Sequence, residues 1–272
     1  MKSKLTGLLL ILTHILVAQH TITINDIWEK GTFMPDYVWG MRSLKDGEHY
    51  SKMDYDYLNH SLSILAYRYK DGTLSDTLFS DQWIDEPLNI SAYIMSPDES
   101  KIILASDEEA IYRYSRKANY YIFDRQTKQI KSLYEKGKQK YPDFSPDGSK
   151  VAFVYNRNLY YRDLNNNQLI QITFNGLGGQ LLNAEADWVY EEELELTQAY
   201  QWSPDGKNIA FLRFNISAEP MFIMSVYNDS LYPNIKLIPY PKAGKENAKV
   251  SLWDFNLTNQ ISKQIDTDPG EE

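Results

Sequence analysis

Residues 144–156 read FSPDGSKVAFVYN. Pro146 presets φ at the second position of a turn, Asp147 can accept hydrogen bonds from the backbone just after it, and Gly148 closes the bend. Val151, Phe153 and Tyr155 then alternate along the following segment as they would on one face of a strand. The same phrase recurs as MSPDESKIILAS at 95–106 and WSPDGKNIAFLRFN at 202–215. Each copy predicts a tight turn that feeds a strand.

A second phrase follows each copy: an aromatic strand, a polar turn and another strand. It reads YYIFDRQTKQIKSLY at 120–134, LYYRDLNNNQLIQIT at 159–173 and SLWDFNLTNQISKQI at 251–265. Two hairpins per unit make four antiparallel strands, and Ser96, Ser145 and Ser203 space the units about 50 to 58 residues apart. That period suits the blade of a β-propeller. Upstream, SILAYRYKDGTLSDTLFS at 63–80 supplies the second hairpin of an earlier blade, with Asp71-Gly72 as its turn. The expected fold is therefore all-β, a partial β-propeller of about four four-stranded antiparallel blades. A generic β-sandwich is the competing architecture, disfavoured by the paired recurrence of both phrases.

The chain has 272 residues, 43% of them hydrophobic and 14% aromatic, which is enough for a substantial core. A formal net charge of -9 and the absence of any basic stripe exclude a nucleic-acid or anionic-membrane partner, since either needs clustered cations to displace counterions. The first residues, MKSKLTGLLLILTHILVAQH, place Lys2 and Lys4 before an apolar run over 5–17 and the small residue Ala18. We read 1–18 as a signal peptide, too short in its apolar part to span a bilayer comfortably. No later segment reads as a membrane span. With no cysteine the fold forgoes disulfides, which fits a bacterial protein exported to the periplasm or cell surface better than a eukaryotic extracellular one.

No hydrolytic kit is complete within these residues. There is no Gly-x-Ser-x-Gly, no His-Glu-x-x-His and no phosphate-binding glycine loop; NGLGGQ at 175–180 lacks the required spacing and the following Lys-Ser/Thr. All four histidines, His14, His20, His49 and His60, lie in the first 60 residues, so the order serine, acid, histidine cannot be met here. His49 and His60 read as loop histidines. No catalytic residue, metal ligand or cofactor is expected of the chain.

The chemistry-bearing stretch is ADWVYEEELE at 186–195. Residues 183–195 hold six carboxylates and no Lys, Arg or His. Asp187 can cap a short helix whose first turns welcome acids. Consecutive glutamates point about 100° apart on a helix, yet their side chains are long enough for two to converge on one small cation. An α-ammonium, with one charge and three donors, would suit two carboxylates. The alternative is an acidic, solvated helix on the rim of a blade.

DWVYEEELE resembles the motif that recognises the substrate amino terminus in the dipeptidyl peptidase IV group of the prolyl oligopeptidase family. The resemblance extends through QWSPDGKNIAFLRFN at 201–215, and YPNIKLIPYPKAGKENAKVSLWDFN at 232–256 is similar to the family's next blade. YRYSRKANYYIFD at 112–124 looks like the segment carrying a substrate-contacting arginine, and GTFMPDYVWGMRSLKDGEHYSKMD at 31–54 resembles the opening of bacterial members. The resemblance implies that Glu192 and Glu193 hold the free amino terminus of a peptide, that Arg113 holds the carbonyl of its second residue, and that Glu191 is structural. It implies that the helical insertion leaves room for two residues before the scissile bond, with Trp188 and Tyr190 anchoring it. Residues 19–272 would be the N-terminal part of a propeller domain. The Ser-Asp-His hydrolase domain of this serine exopeptidase family, which releases X-Pro or X-Ala dipeptides, is missing from the chain, so the chain alone is expected to be inactive. The family's homodimers use the fourth-blade region, here about 228–255. A non-catalytic propeller that binds a peptide or protein is the competing function, and a relative that removes other N-terminal groups is a third.

Overall fold

The computed structural model describes residues 21–35 and 39–267; the segment 1–18, read from the sequence as a signal peptide, lies outside the described residues. The chain divides into two units, 1–40 and 41–272. In the first, α1 (Ile24–Trp28) is one short helix closed by a capping box, in which the Thr23 hydroxyl accepts from the Asp26 N–H and the Asp26 carboxylate accepts from the Thr23 N–H.

The second unit is a partial β-propeller. Strands β1 (Arg42–Ser43), β2 (His49–Asp56), β3 (Ser61–Arg68) and β4 (Leu74–Ser80) form the first antiparallel blade in simple succession. The second is β5 (Ile90–Met95), β6 (Lys101–Ala110), β7 (Arg116–Asp124) and β8 (Ile130–Ser132). The third is β9 (Lys140–Phe144), β10 (Lys150–Tyr155), β11 (Asn158–Asp163) and β12 (Leu169–Gln171). The fourth departs from the pattern: β13 (Leu181–Asn183), α2 (Trp188–Leu194), β14 (Tyr200–Trp202), β15 (Asn208–Asn215), β16 (Met221–Val226), β17 (Asn234–Pro239), β18 (Lys249–Asn256) and β19 (Ile261–Ile265). Its sheet has five strands, ordered β13-β15-β18-β19 with β14 also on β15, while β16 and β17 pair only with each other as an arm.

The arm corrects one reading of the sequence. YPNIKLIPYPKAGKENAKVSLWDFN is not a following blade: its first part is the β17 side of the arm, and its last part is β18, which pairs with β15 from Asn208↔Asn256 to Asn215↔Lys249. The return from arm to sheet is long, so sequence proximity misleads about which strands pair.

The SPD phrase builds the same hydrogen-bonded turn three times. In the third blade the Ser145 hydroxyl donates to Asp147 Oδ1 at 2.6 Å and accepts from the Lys150 N–H at 2.9 Å, while the Gly148 N–H donates to the Ser145 carbonyl at 2.8 Å. Ser96 with Asp98 and Lys101, and Ser203 with Asp205 and Asn208, repeat the network. The fourth residue of each turn is left-handed: φ is 59° at Glu99, 67° at Gly148 and 67° at Gly206. Glycine adopts that conformation freely, whereas Glu99 is strained there.

The core lies between blades. Ile102 and Leu104 of β6 face Ile64, Phe79 and Tyr93, whereas Ile103 and Ala105 face Phe144, Val151 and Phe153 of the third blade. Ala152 and Val154 then turn the other way, toward Tyr200, Trp202, Ile209 and Phe211. A central strand buried on both faces needs apolar residues at consecutive positions, which is why IILA and VAFV are unbroken runs. Burying a side chain such as Phe153, fully excluded from solvent, is worth about 1.5–3 kcal/mol.

Candidate functional site

The acidic helix is an excursion from the inner strand of the fourth blade. β13 pairs with β15 from Leu181↔Asn215 to Asn183↔Arg213, and β14 takes up the same edge from Tyr200↔Phe211 to Trp202↔Ile209. Between them Leu212 is shared: its carbonyl accepts from the Ala184 N–H at 2.9 Å and its N–H donates to the Ala199 carbonyl at 2.9 Å. The strand leaves the sheet at Ala184, whose φ of 64° is left-handed, and re-enters at Ala199, whose N–H donates to the Ala184 carbonyl at 3.0 Å. A short stalk, the Glu185↔Gln198 bridge and an Ala186 N–H to Thr197 carbonyl bond of 3.2 Å, carries α2 at its tip.

Asp187 caps α2 by accepting the Tyr190 N–H at 3.1 Å. The aromatic residues anchor it as expected: the Tyr190 ring meets Phe214 edge-on at 5.0 Å, and Trp188 lies 4.5 Å from the Tyr240 ring. Leu182, Ala199, Phe214 and Ile216 form a small core beneath the excursion.

The three glutamates have different surroundings. Glu191 is buried, and its Oε1 accepts from the Tyr114 N–H at 2.9 Å and the Ser115 N–H at 2.7 Å. It therefore ties the fourth blade to the β6–β7 hairpin of the second, a structural role. The Glu192 Oε2 lies 3.1 Å from Arg113 Nε, and its Oε1 accepts the Arg113 N–H at 3.4 Å. Only 12% of the Glu192 side chain is exposed, against 67% for Arg113. Glu193 is exposed. The Arg113 guanidinium is held above its ordinary pKa by the Tyr114 hydroxyl, then by the charge of Glu192 and, further down, that of Glu193.

The structure thus brings Arg113, Glu192 and Glu193 together on two elements distant in sequence. One guanidinium faces one of the two carboxylates, and with Glu191 satisfied by backbone donors the cluster keeps an excess negative charge that an ammonium would complement. That Arg113 already meets Glu192 could not be read from local pattern, because the partners are 79 residues apart.

Sequence reasoning missed what lies beneath the helix. Lys140 forms an ion pair with Glu185 of the stalk. Burial, then the nearby Arg157, pulls the Lys140 pKa down to about 8, with Glu191 opposing. Tyr112 is pushed up, first by burial and then by the charge of Glu191. Lys140 falls just before the SPD phrase, far in sequence from Glu185, and no local rule joins the two. His49 opens β2 rather than lying in a loop, and its Nδ1 contacts Asp46 Oδ2 at 2.7 Å. Among the described residues no cluster of His, Cys, Asp and Glu could hold a metal ion, and no helix is long and apolar enough to cross a membrane.

Comparison with known proteins places these features in context. The family described as dipeptidyl peptidase IV (DPP IV) N-terminal region matches residues 96–271, a span that includes Arg113, Glu192 and Glu193. The crystal structure of Porphyromonas gingivalis dipeptidyl peptidase 4 is similar over 92% of this chain and 35% of that one, with a TM-score of 0.84 and 36% sequence identity. Prolyl endopeptidase FAP of Homo sapiens is 35% identical over 239 residues, 86% of this chain and 29% of that protein. Inactive dipeptidyl peptidase 10 of Mus musculus is 34% identical over 188 residues, 67% of this chain and 24% of that protein. The chain spans roughly a third or less of the length of these proteins. On the family match, the blade architecture and the similarity to a solved dipeptidyl peptidase 4, the chain belongs to the dipeptidyl peptidase IV N-terminal region family.

Proposed function

We propose that this chain is the substrate-gating propeller region of an exported dipeptidyl peptidase, a serine exopeptidase releasing N-terminal X-Pro or X-Ala dipeptides, and that it binds the free amino terminus of the peptide. The observation that carries this reading is the Arg113–Glu192 contact of 3.1 Å with Glu193 exposed beside it. A peptide ammonium would bond to Glu193 and to the lone pairs of Glu192 that Arg113 leaves open. The outward face of Arg113 would hold the carbonyl of the second residue. The stalked helix would bar a third residue. The nucleophile, acid and histidine would come from a hydrolase domain that these residues do not contain, so the chain by itself would bind without cleaving.

The test is binding of a short peptide with a free amino terminus against its acetylated counterpart, measured by calorimetry. The reading expects acetylation to abolish affinity. Equal affinity for both would refute it and favour a family relative that takes blocked N-termini.

A non-catalytic propeller is the second reading, and the relative named inactive dipeptidyl peptidase 10 is what favours it. A hydrolase domain with Gly-x-Ser-x-Gly, in frame in the coding sequence downstream, would decide against it. We also propose export to the bacterial periplasm or surface through the 1–18 segment, and self-association through the arm. Leu231, Tyr232 and Ile223 of the arm are 88%, 78% and 63% exposed, and residues 228–255 include its second strand. Sedimentation of a Leu231→Glu, Tyr232→Glu variant would check the association.

A further inference from the structure

The N-cap of the acidic helix faces a second acid. Asp187 and Glu219 are 4% and 7% exposed, and their side chains lie within hydrogen-bonding reach of each other. Asp187 Oδ1 accepts the Tyr190 N–H, but its Oδ2 has no donor, and neither does Glu219 Oε1. Two neighbouring buried carboxylates, each with a bare oxygen, leave like charges uncompensated in a poorly solvated place, which is costly. One proton between them removes a charge and supplies a hydrogen bond at once.

We propose that Asp187 and Glu219 hold a single proton between them, and that this proton pins the N-terminus of the acidic helix to the base of the β16–β17 arm. Glu219 stands at that base. Its N–H donates to the Ile216 carbonyl at 3.1 Å, and the next residue, Pro220, accepts the Tyr240 N–H at 3.0 Å where the arm returns. Tyr240 is also the ring on which Trp188 rests, with Phe222 of β16 at 5.5 Å on it. The first turn of α2 is therefore fastened to the arm twice, once by apolar contact and once through the acid pair. Only the second fastening depends on pH.

Around the pair stand Tyr112 on the β6–β7 hairpin, Lys140 and Tyr141 on β9, Arg157 on the β10–β11 turn, Glu185 on the stalk and Glu191 on α2. Lys140 is engaged by Glu185, and Arg157 donates to the Gly179 carbonyl. Asp187 is the charge that acts on Glu219. Burial first, then Asp187, pushes the Glu219 carboxyl from 4.5 up to about 8, with the Ala248 amide opposing. A carboxyl raised in the folded state binds more protons there than in the unfolded chain. Its contribution is full below its ordinary value of 4.5, erodes as pH rises, and is gone above about 8. The expected consequence is that α2, with Glu192 and Glu193 on it, is held in place at neutral pH and loosened in alkali. The pair itself does not depend on what the helix binds.

The test is an infrared titration of the whole chain between about pH 6 and 9, with hydrogen exchange measured in parallel for 187–195 against β10 and corrected for intrinsic base catalysis. One protonated carboxyl band is expected to vanish near the upper end, and exchange in the helix to rise several-fold with it. Glu219→Gln keeps a donor toward Asp187 and should lose both the band and the pH-linked exchange while remaining protected; Asp187→Asn provides the same donor from the other side. Isotope labelling of glutamate carboxyls assigns the band in the unaltered chain, so the result stands even where both variants fail to fold. A chain with no carboxyl titrating in this window overturns the proposal. So does an unchanged band in Glu219→Gln, or a pair that stays ionised and is stabilised by added calcium, which would make it a cation site.

Discussion

The third and fourth blades start from the same phrase and end differently. In the third, β9 to β12 follow one another directly, with a two-residue turn at Asn156-Arg157 between β10 and β11. The fourth has the same serine-aspartate turn and the same apolar β15, but its inner strand is split by the α2 excursion and its middle connection runs out into the arm. The interruptions spare the pairing of β15, which keeps partners along its whole length on both sides. A blade can therefore carry large insertions where strand register is resumed on the same edge, and it is the insertions that hold the unusual charge.

If this division is right, damage to the regular blade should unfold the protein and damage to the insertions should not. Phe153→Ala, which removes a fully buried ring between the second and third blades, is expected to cost about 3–5 kcal/mol by denaturant titration. Phe222→Ala on the half-exposed arm should leave that titration nearly unchanged. Comparable losses would mean that the arm is part of the core. Glu192→Gln and Glu193→Gln should likewise spare stability, yet each should weaken binding of a free amino terminus by about 1.5–3 kcal/mol, the worth of a charge-assisted hydrogen bond. An acetylated peptide serves as the control. Wild-type affinity in the double variant would remove these residues from the site.

The same contrast explains what could be read in advance. The repeat was legible because a turn of Ser, Pro, Asp and Gly is local chemistry: every bond in it joins residues at most five apart, such as Lys150 N–H to Ser145 Oγ. The strands that follow the turns were legible for the same reason, but alternation in the sequence placed only one face of β10 in the core, whereas the structure buries both. The cap at Asp187 also follows from a short-range rule, whereas the anchoring by Trp188 and Tyr190 was implied by the resemblance. The family resemblance assigned Arg113 and the glutamates to one substrate, which no local rule could do, but it did not place Arg113 against Glu192. What stayed hidden depends on residues far apart along the chain: Glu219 opposite Asp187, Lys140 against Glu185, and β18 returning to β15 past the arm. In each case the partners are ordinary residues in unremarkable contexts, and only the fold brings them together.

Smaller effects probe the turns themselves. Ser145→Ala deletes the hydroxyl bond to Asp147 and leaves the Lys150 N–H without its acceptor, a loss of about 1–3 kcal/mol at neutral pH. Asp147 and Asp98 are both drawn down to about 2, the first by its serine hydroxyls against the pull of burial, the second by the Ser96 hydroxyl foremost. Carboxyls lowered in the folded state stabilise above their ordinary value and stop doing so as pH falls toward 2. Acid titration of the melting temperature should therefore fall in that window, and the penalty of Ser145→Ala should shrink there. A penalty that persists undiminished in acid would show that the carboxylate plays no part in it.

The smallest expected effect lies where the turns disagree. Gly148 and Glu99 occupy equivalent positions with φ of 67° and 59°. Gly148→Ala forces an L side chain into the left-handed region and sets its Cβ 3.3 Å from Asp98 Oδ1 of the neighbouring blade, so a cost of about 1–2 kcal/mol is expected. Glu99→Gly relieves the corresponding strain, but two terms oppose the gain. The glutamate Oε1 accepts the Lys45 N–H at 2.6 Å, a tie to the first blade worth about 1 kcal/mol in this exposed setting. Glycine also adds freedom to the unfolded chain. The net change should therefore be small, less than the cost of Gly148→Ala and of either sign. A clear stabilisation would mean that the bond to Lys45 contributes little, and a clear loss would mean that Glu99 was kept at a strained position because it fastens two blades together.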